Sequence, residues 1–248
     1  ILSLVFKIDN SKFDKYKKLY DQNGYLIIED VLSSDKYEDI KKKSQEFIEL
    51  PEYPVALNVH RKSDFFWKII SNDKIVDLVK FIQDSDIDAV NDQYLFKKAN
   101  TKYGRQSWTF HQDNSYPKAK KGSYIILHLA VDESTKENGG LIYLQGSHSE
   151  EILDYQNNKS WKEDNNEDGI TRPGQTINYE QEMIKKYKPI DVVFPKGSIS
   201  LMHGNLIHGS HPNLSKDKDR NQYSMCYMNR GVEFFKGKSS PRLRAKLY

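Results

Sequence analysis

The pattern of apolar positions divides the chain into a helical first third and a strand-rich remainder. Apolar side chains recur with a period near 3.6 residues over roughly 11–22, 34–49 and 73–83, which predicts three helices. A short apolar run at 25–28 predicts a strand between the first two helices. Residues 1–87 are therefore expected to be mainly helical and to pack on whatever core follows.

The pattern changes after this point to short runs that often alternate with period two and are rich in Tyr, Ile, Val and Phe. These runs fill two blocks, from about 88 to 131 and from about 189 to 230. Many short strands separated by glycine turns predict a sandwich or barrel-like double sheet with helices against one sheet. Residues 149–188 lie between the blocks and show little apolar periodicity, which is typical of a lid-like insertion or a loop without fixed structure.

Composition narrows the class of protein. The 248 residues show no sign of a second domain, so one domain spanning 1–248 is expected. The 38 basic and 35 acidic side chains give a net charge of +3, a mixed surface that does not indicate nucleic-acid binding. The single cysteine, Cys226, excludes an intrachain disulfide and favours a cytoplasmic setting. No apolar run approaches membrane-spanning length. A small-molecule substrate is the expected partner, and the oligomeric state stays open.

The clearest chemical pattern is the pair His111 and Asp113, two positions apart in a strand-like run. Residues i and i+2 of a strand project from the same face, so both side chains can hold one ion. Such a pair alone is a weak signal, and a third ligand is needed. The later histidines compete for that role: His203, His208 and His211. Spacing favours His208, and two histidines with one carboxylate form the facial triad that leaves three positions open on Fe(II).

Basic residues near the predicted strands supply candidate anion ligands. Arg220 enters the last strong strand, and a guanidinium matches a carboxylate with two parallel hydrogen bonds; Arg230 is its rival. Lys98 shares a strand face with Tyr94 by alternation. If that face is interior, the ammonium of Lys98 complements a bound anion, while Lys97 is expected to reach solvent from the opposite face.

Together these elements resemble the phytanoyl-CoA dioxygenase family of Fe(II)/2-oxoglutarate-dependent oxygenases. The resemblance runs through 93–98, 108–116, 137–141, 145–148, 197–210 and Arg220. It implies a mainly β fold with flanking helices, in which residues 88–230 form a double-stranded β-helix (jelly-roll, cupin-like) core. It also implies that His111, Asp113 and His208 bind iron, and that Arg220 anchors the far carboxylate of 2-oxoglutarate.

The implied activity is hydroxylation of an aliphatic C–H bond of a small organic substrate, using Fe(II), 2-oxoglutarate and O2 and releasing succinate and CO2. The carboxylate of Asp113 favours hydroxylation over halogenation, because halogenating relatives carry a small residue there. Lys98 and Tyr94 join Arg220 as candidate cosubstrate ligands. The candidate substrate-lining residues are Asn114, Tyr116, Trp108, Gln106 and Arg172.

The chain departs from the family pattern at two places, and two other functions stay open. The chain has Gln145-Gly146-Ser147-His148 where relatives often have Pro-Gly-Ser-His, and it lacks Ser or Thr two residues after Arg220. The other functions left open are a cupin-like metal enzyme that does not use 2-oxoglutarate, and a catalytically silent jelly-roll binding module.

Overall fold

Two main β-sheets, a small hairpin and helices packed on one side build the fold. The structure is a computed structural model that describes residues 5–7, 9–29, 31–159, 168–238 and 240–248. The α-helices of these residues are α1 (Phe13–Asn23), α2 (Ser34–Gln45), α3 (Asp64–Ile70), α4 (Asp73–Gln83) and α5 (Glu180–Lys186). The strands are β1 (Val5–Lys7), β2 (Tyr25–Glu29), β3 (Val55–Leu57), β4 (Ile87–Lys97), β5 (Trp108–His111), β6 (Tyr124–Ala130), β7 (Leu141–Leu144), β8 (Tyr155–Asn157), β9 (Gln175–Ile177), β10 (Pro189–Asp191), β11 (Ile199–His203), β12 (His208–Ser210), β13 (Arg220–Asn229) and β14 (Ala245–Lys246).

The larger sheet has the strand order β1-β2-β11-β6-β13-β4-β14, with β3 also paired to β4, and the smaller sheet has the order β10-β7-β12-β5. Neighbours in the smaller sheet are far apart in sequence, as expected of strands that wind alternately through two facing sheets. The sheets form a double-stranded β-helix, and the predicted mainly β fold with flanking helices is confirmed.

Both faces of the larger sheet are buried, and this decides where a ligand fits. In β6, Leu127 and Leu129 pack in a cluster with the helices, whereas Ile126 and Ala130 pack in a second cluster between the two sheets. Alternating side chains of one strand therefore serve two separate cores. Polar side chains on the inter-sheet face are the ones that can meet a ligand.

The predicted helices correspond to α1, α2 and α4, while α3 was not predicted because seven residues give fewer than two turns of periodicity. The second block of predicted strands begins with β10 at Pro189–Asp191. Phe194 forms only an isolated bridge with Ser134. Within the described residues, no helix is long and apolar enough to cross a membrane.

The insertion 149–188 contains the β8–β9 hairpin and α5, while residues 160–167 of it lie outside the described ranges. The hairpin docks on β5, where the Thr109 hydroxyl donates to the carbonyl of Gln175 at 3.1 Å. Its role as a lid stays a prediction, as does the interpretation of 1–248 as one domain.

Candidate active site

His111, Asp113 and His208 meet at one edge of the smaller sheet. His111 ends β5, His208 begins β12, and the two pair directly across these antiparallel strands, with ring centroids 4.2 Å apart. Asp113 begins a one-turn 3-10 helix rather than continuing the strand. Its carboxylate oxygens lie 3.5 Å from His111 Nε2 and 3.9 Å from His208 Nε2. All three candidate ligand atoms lie within 4.8 Å of one another.

Backbone carbonyls orient both imidazoles in the same way. His111 Nδ1 lies 2.7 Å from the carbonyl of Thr109, and His208 Nδ1 lies 3.0 Å from the carbonyl of Leu206. A carbonyl oxygen only accepts, so each Nδ1 carries the proton and each Nε2 keeps its lone pair toward Asp113. Metal-binding histidines are commonly fixed by such a bond at the second ring nitrogen.

The charge state of the three groups also suits a metal ion. Burial and the neighbouring His111 lower the pKa of His208 to about 4, so this imidazole is neutral at pH 7. Burial acts to raise the pKa of Asp113, but the imidazoles of His208 and His111 outweigh it, and the pKa lies below its usual value. A carboxylate beside imidazole nitrogens is a donor set that fits Fe(II).

The two rival histidines lie elsewhere. The ring of His203 packs 5.3 Å from that of His148, and its Nδ1 accepts the Asn205 amide at 2.9 Å. His211 is 2.6 Å from a carboxylate oxygen of Asp191. Neither lines the cavity beside the triad, so the geometry supports the choice of His208 made from spacing.

A cavity of about 320 Å³ opens between the sheets beside the triad, and Arg220 reaches it from the opposite sheet. Arg220 is 2% exposed, donates to the side-chain oxygen of Gln222 and has a buried Nε without a hydrogen-bond partner. Burial lowers its pKa to about 10, so it stays a cation at neutral pH. Among the described residues no carboxylate pairs with it. A buried unpaired cation costs several kcal/mol, so an anion is expected to bind there.

The interior lysine is Lys97, not Lys98, which corrects the expectation from the sequence. Lys97 is 2% exposed, and its ammonium donates to Ser210 Oγ at 2.8 Å and to the carbonyl of His211 at 2.7 Å. It pairs with Arg220 across β4 and β13. Burial, followed by the charge of Arg220, lowers the pKa of Lys97. Lys98 is exposed and lies just past the strand.

Tyr94 is likewise placed outside the cavity. It packs in the core beneath the helices, where its hydroxyl donates to the side-chain oxygen of Asn221. The cavity face of β4 carries Gln93 and Leu95 instead. Both faces of this strand are buried, so apolar alternation could not tell which face holds the ligand.

Two of the five candidate substrate residues, Trp108 and Tyr116, line the cavity. The Trp108 ring lies 6.0 Å from the ring of His111. Tyr116 follows Asp113 by three residues, just after the 3-10 turn, so it stands close to the metal ligands.

The other three candidates do not reach the cavity. Asn114 is turned inward and donates to Asn205 Oδ1 at 2.8 Å, which holds the turn that carries Asp113. Gln106 is fully buried outside the lining. Arg172 forms a 2.6 Å ion pair with Asp168 on the insertion. None of these three side chains lines the cavity.

Sequence reasoning missed a polar network between Arg220 and the middle of the larger sheet. Gln222, which accepts from Arg220, donates to Ser224 Oγ at 3.0 Å and lies 2.9 Å from His128 Nδ1. Burial lowers the pKa of His128 to about 3. A period-two run of polar residues in β13 and a lone histidine in apolar β6 were the signals available.

The two departures from the family pattern have local explanations. Gln222 occupies the position two residues after Arg220 and bonds to it through an amide oxygen instead of a hydroxyl. The turn at Gly146 is retained, with φ +84°. Ser147 Oγ accepts the amide of Ile207 at 2.9 Å, which fixes the chain just before His208.

Gly174 precedes β9 and presses against Trp108, and this contact gives a testable prediction. Its φ is +86°, and an added Cβ would lie 2.5 Å from the Trp108 ring. Gly174→Ala is expected to lower the free energy of unfolding by about 2–5 kcal/mol, from left-handed strain together with displacement of Trp108. Urea denaturation measures the change. The matched control is Gly146→Ala, because Gly146 shares the positive φ but has nothing within 4 Å of the added atom. Equal losses in the two variants would show that the contact with Trp108 does not matter.

A jelly-roll with two histidines and a carboxylate at the inter-sheet cavity is the architecture of a non-haem iron oxygenase. Comparison with known proteins identifies the family. The chain belongs to the phytanoyl-CoA dioxygenase (PhyH) family, whose profile matches residues 20–221. The family predicted from the sequence is confirmed.

Individual relatives match only part of the chain or share low sequence identity with it. A phytanoyl-CoA dioxygenase of Arabidopsis thaliana is 34% identical over 115 residues, which cover 46% of this chain and 36% of the relative. A probable alpha-ketoglutarate-dependent hypophosphite dioxygenase of Stutzerimonas stutzeri is 25% identical over 163 residues, covering 66% of this chain and 53% of the relative. The chain thus spans about a third to a half of these relatives. The crystal structure of the epimerase SnoN with Fe3+, alpha ketoglutarate and nogalamycin RO has the same fold, with a TM-score of 0.74 at 15% identity over 97% of both chains.

Proposed function

We propose that the protein is an Fe(II)- and 2-oxoglutarate-dependent dioxygenase that hydroxylates an aliphatic C–H bond of a small organic substrate and releases succinate and CO2. The observation that carries this proposal is the combination in one cavity of a three-ligand metal site and a buried, unpaired guanidinium. The metal site alone fits many enzymes. The buried cation of Arg220 adds the requirement for an anionic cosubstrate.

The residues divide the work by position. His111, His208 and Asp113 would hold the metal. When bound, Fe(II) supplies the binding and activation of O2. Arg220, which pairs with Lys97 across the two strands, would hold the far carboxylate of 2-oxoglutarate. The support for this role is that Arg220 and the triad line the same cavity.

The names of the relatives support iron and 2-oxoglutarate as the cofactor pair. The Stutzerimonas relative is named for alpha-ketoglutarate and a dioxygenase reaction, and SnoN was solved with iron and alpha ketoglutarate. SnoN is an epimerase, so product identification is the readout for the reaction type. Retention of the Asp113 carboxylate supports hydroxylation over halogenation.

The test is an anaerobic titration followed by exposure to air. Fe(II) and 2-oxoglutarate together are expected to give a weak visible charge-transfer band, and admission of O2 is expected to convert 2-oxoglutarate to succinate. Controls omit 2-oxoglutarate or replace Fe(II) with Zn(II), and both should remove the band. A metal-binding protein that gives neither band nor succinate would be a cupin-like enzyme of another type, and one that binds no metal would be a binding module.

A further inference from the structure

One charged side chain in the cavity is left without a role once the triad and Arg220 are accounted for. Arg242 lines the cavity together with Tyr116 and Tyr124. It lies beyond β13 and outside the residues 20–221 matched by the family profile. Arg242 is thus supplied to the cavity by the C-terminal segment, which the family profile does not cover.

The segment around Arg242 is fixed in place. The Arg61 guanidinium donates to the carbonyls of Pro241 at 3.0 Å, of Leu243 at 3.3 Å and of Val90 at 2.6 Å. The Leu243 amide in turn donates to the carbonyl of Val90 at 3.2 Å. Further on, β14 pairs with β4. Hydrogen bonds to the backbone of Pro241 and of Leu243 therefore hold Arg242 at the cavity.

Among the residues that the structure describes, the guanidinium of Arg242 has a ring contact but no carboxylate partner. Its carbon lies 5.9 Å from the centroid of the Tyr116 ring, and its Nε is buried without a hydrogen-bond partner. In the described ranges, no carboxylate forms an ion pair with it. The nearby arginines differ: Arg244 lies 2.7 Å and Arg230 lies 3.1 Å from oxygens of Asp88. The C-terminal region thus neutralises other arginines and leaves this one facing the cavity.

We propose that Arg242 binds a carboxylate of the substrate, so that the substrate is a small organic acid; this rests on the proposed function. A single cation matches a single negative charge, and a guanidinium bonds a carboxylate through two parallel hydrogen bonds. The guanidinium lies over the ring of Tyr116, and both residues line the same cavity as the candidate metal ligands. The 320 Å³ cavity is at the lower end of the range for ligand sites, and cosubstrate and substrate share it. This volume favours a small substrate beside the cosubstrate.

The experiment uses the anaerobic Fe(II)–2-oxoglutarate protein at saturating 2-oxoglutarate. The probes are small aliphatic and aromatic carboxylates, amino acids included, each paired with its primary amide. A thermal-shift screen finds binders, and titration gives their dissociation constants. Wild type is expected to bind the best acid about tenfold or more tightly than its amide. Arg242→Gln should remove this preference and Arg242→Lys should restore part of it. Lys246→Gln is the control that loses the same charge outside the cavity lining.

The outcomes separate the two proposals. A charge-transfer band without any preference for acids over amides overturns the role of Arg242 and leaves the proposed function standing. Absence of the band in wild type overturns the proposed function first. An Arg242→Gln variant that loses 2-oxoglutarate binding, as an Arg220 variant should, would assign Arg242 to the cosubstrate and also overturn the inference.

Discussion

Replacing Asp113 by alanine is expected to abolish Fe(II) binding at the triad and to lower succinate formation by at least about 100-fold. Substitutions of groups that only orient a metal ligand commonly cost 10- to 100-fold, and Asp113 supplies a ligand atom itself. Asp113 is also the group of the three that brings a negative charge to balance that of the ion. Metal content after desalting and the rate of succinate formation measure the two effects.

The fold should survive this substitution, because the contacts of the Asp113 side chain are to the two histidines of the site. An unchanged melting temperature of the metal-free protein checks this point. The matched control is Asp217→Ala, which removes an exposed carboxylate from a loop outside the cavity. Full activity in Asp113→Ala would show that the ligand assignment is wrong.

Replacing Arg220 by methionine is expected to raise the dissociation constant of 2-oxoglutarate by about 10- to 100-fold, since a hydrogen bond to a charged group contributes about 1.5–3 kcal/mol. The free energy of unfolding of the ligand-free protein should rise or stay about the same. The reason is that the variant removes a buried cation that has no carboxylate partner in the described structure. Opposite effects on binding and stability distinguish a ligand-binding arginine from a structural one.

The control for this prediction is Arg230→Met. Arg230 was the rival anchor, and its guanidinium is 3.2 Å from Asp86 and 3.1 Å from Asp88, away from the cavity lining. Its loss should lower stability without weakening 2-oxoglutarate binding. The reverse pattern in the two variants would show that the anchor has been misassigned.

The three candidate metal ligands were predicted from the sequence, and one detail of their local structure differs from the expectation. The His111–Asp113 spacing was interpreted as two residues on one face of a strand, but β5 ends at His111 and a 3-10 turn carries Asp113. The pair nevertheless converges with His208. Gln112, between the two residues, is still extended (φ −119°, ψ 125°), so His111 and Asp113 project to the same side although the strand ends between them.

The buried lysine, Lys97, could not be distinguished from Lys98 by periodicity. Strand β4 is buried by helices on one face and by the cavity on the other, and a register irregularity between Asn91 and Ala89 shifts its faces. Gln93, which shares a strand face with Lys97, indicates the cavity side of β4 better than Tyr94 does. On this strand, the polar side chains Asn91 and Gln93 mark the face that lines the cavity.

Arg242 left no signal in the sequence at all. It belongs to neither a helical nor an alternating pattern, and only tertiary contacts such as those of Arg61 with the neighbouring carbonyls bring it to the cavity. Contacts between segments about 180 positions apart follow from the folded chain and not from local preference. Residues of this kind can be recognised only from the three-dimensional structure.

The proposal that the chain couples 2-oxoglutarate to O2 is tested most directly by the fate of labelled oxygen. The Fe(II)-loaded protein is given 2-oxoglutarate under 18O2, and the succinate is examined by mass spectrometry. Oxidative decarboxylation predicts succinate that carries one 18O atom in its new carboxylate, with CO2 released. Unlabelled succinate, or none in a sample that has bound Fe(II), would contradict the proposed activity.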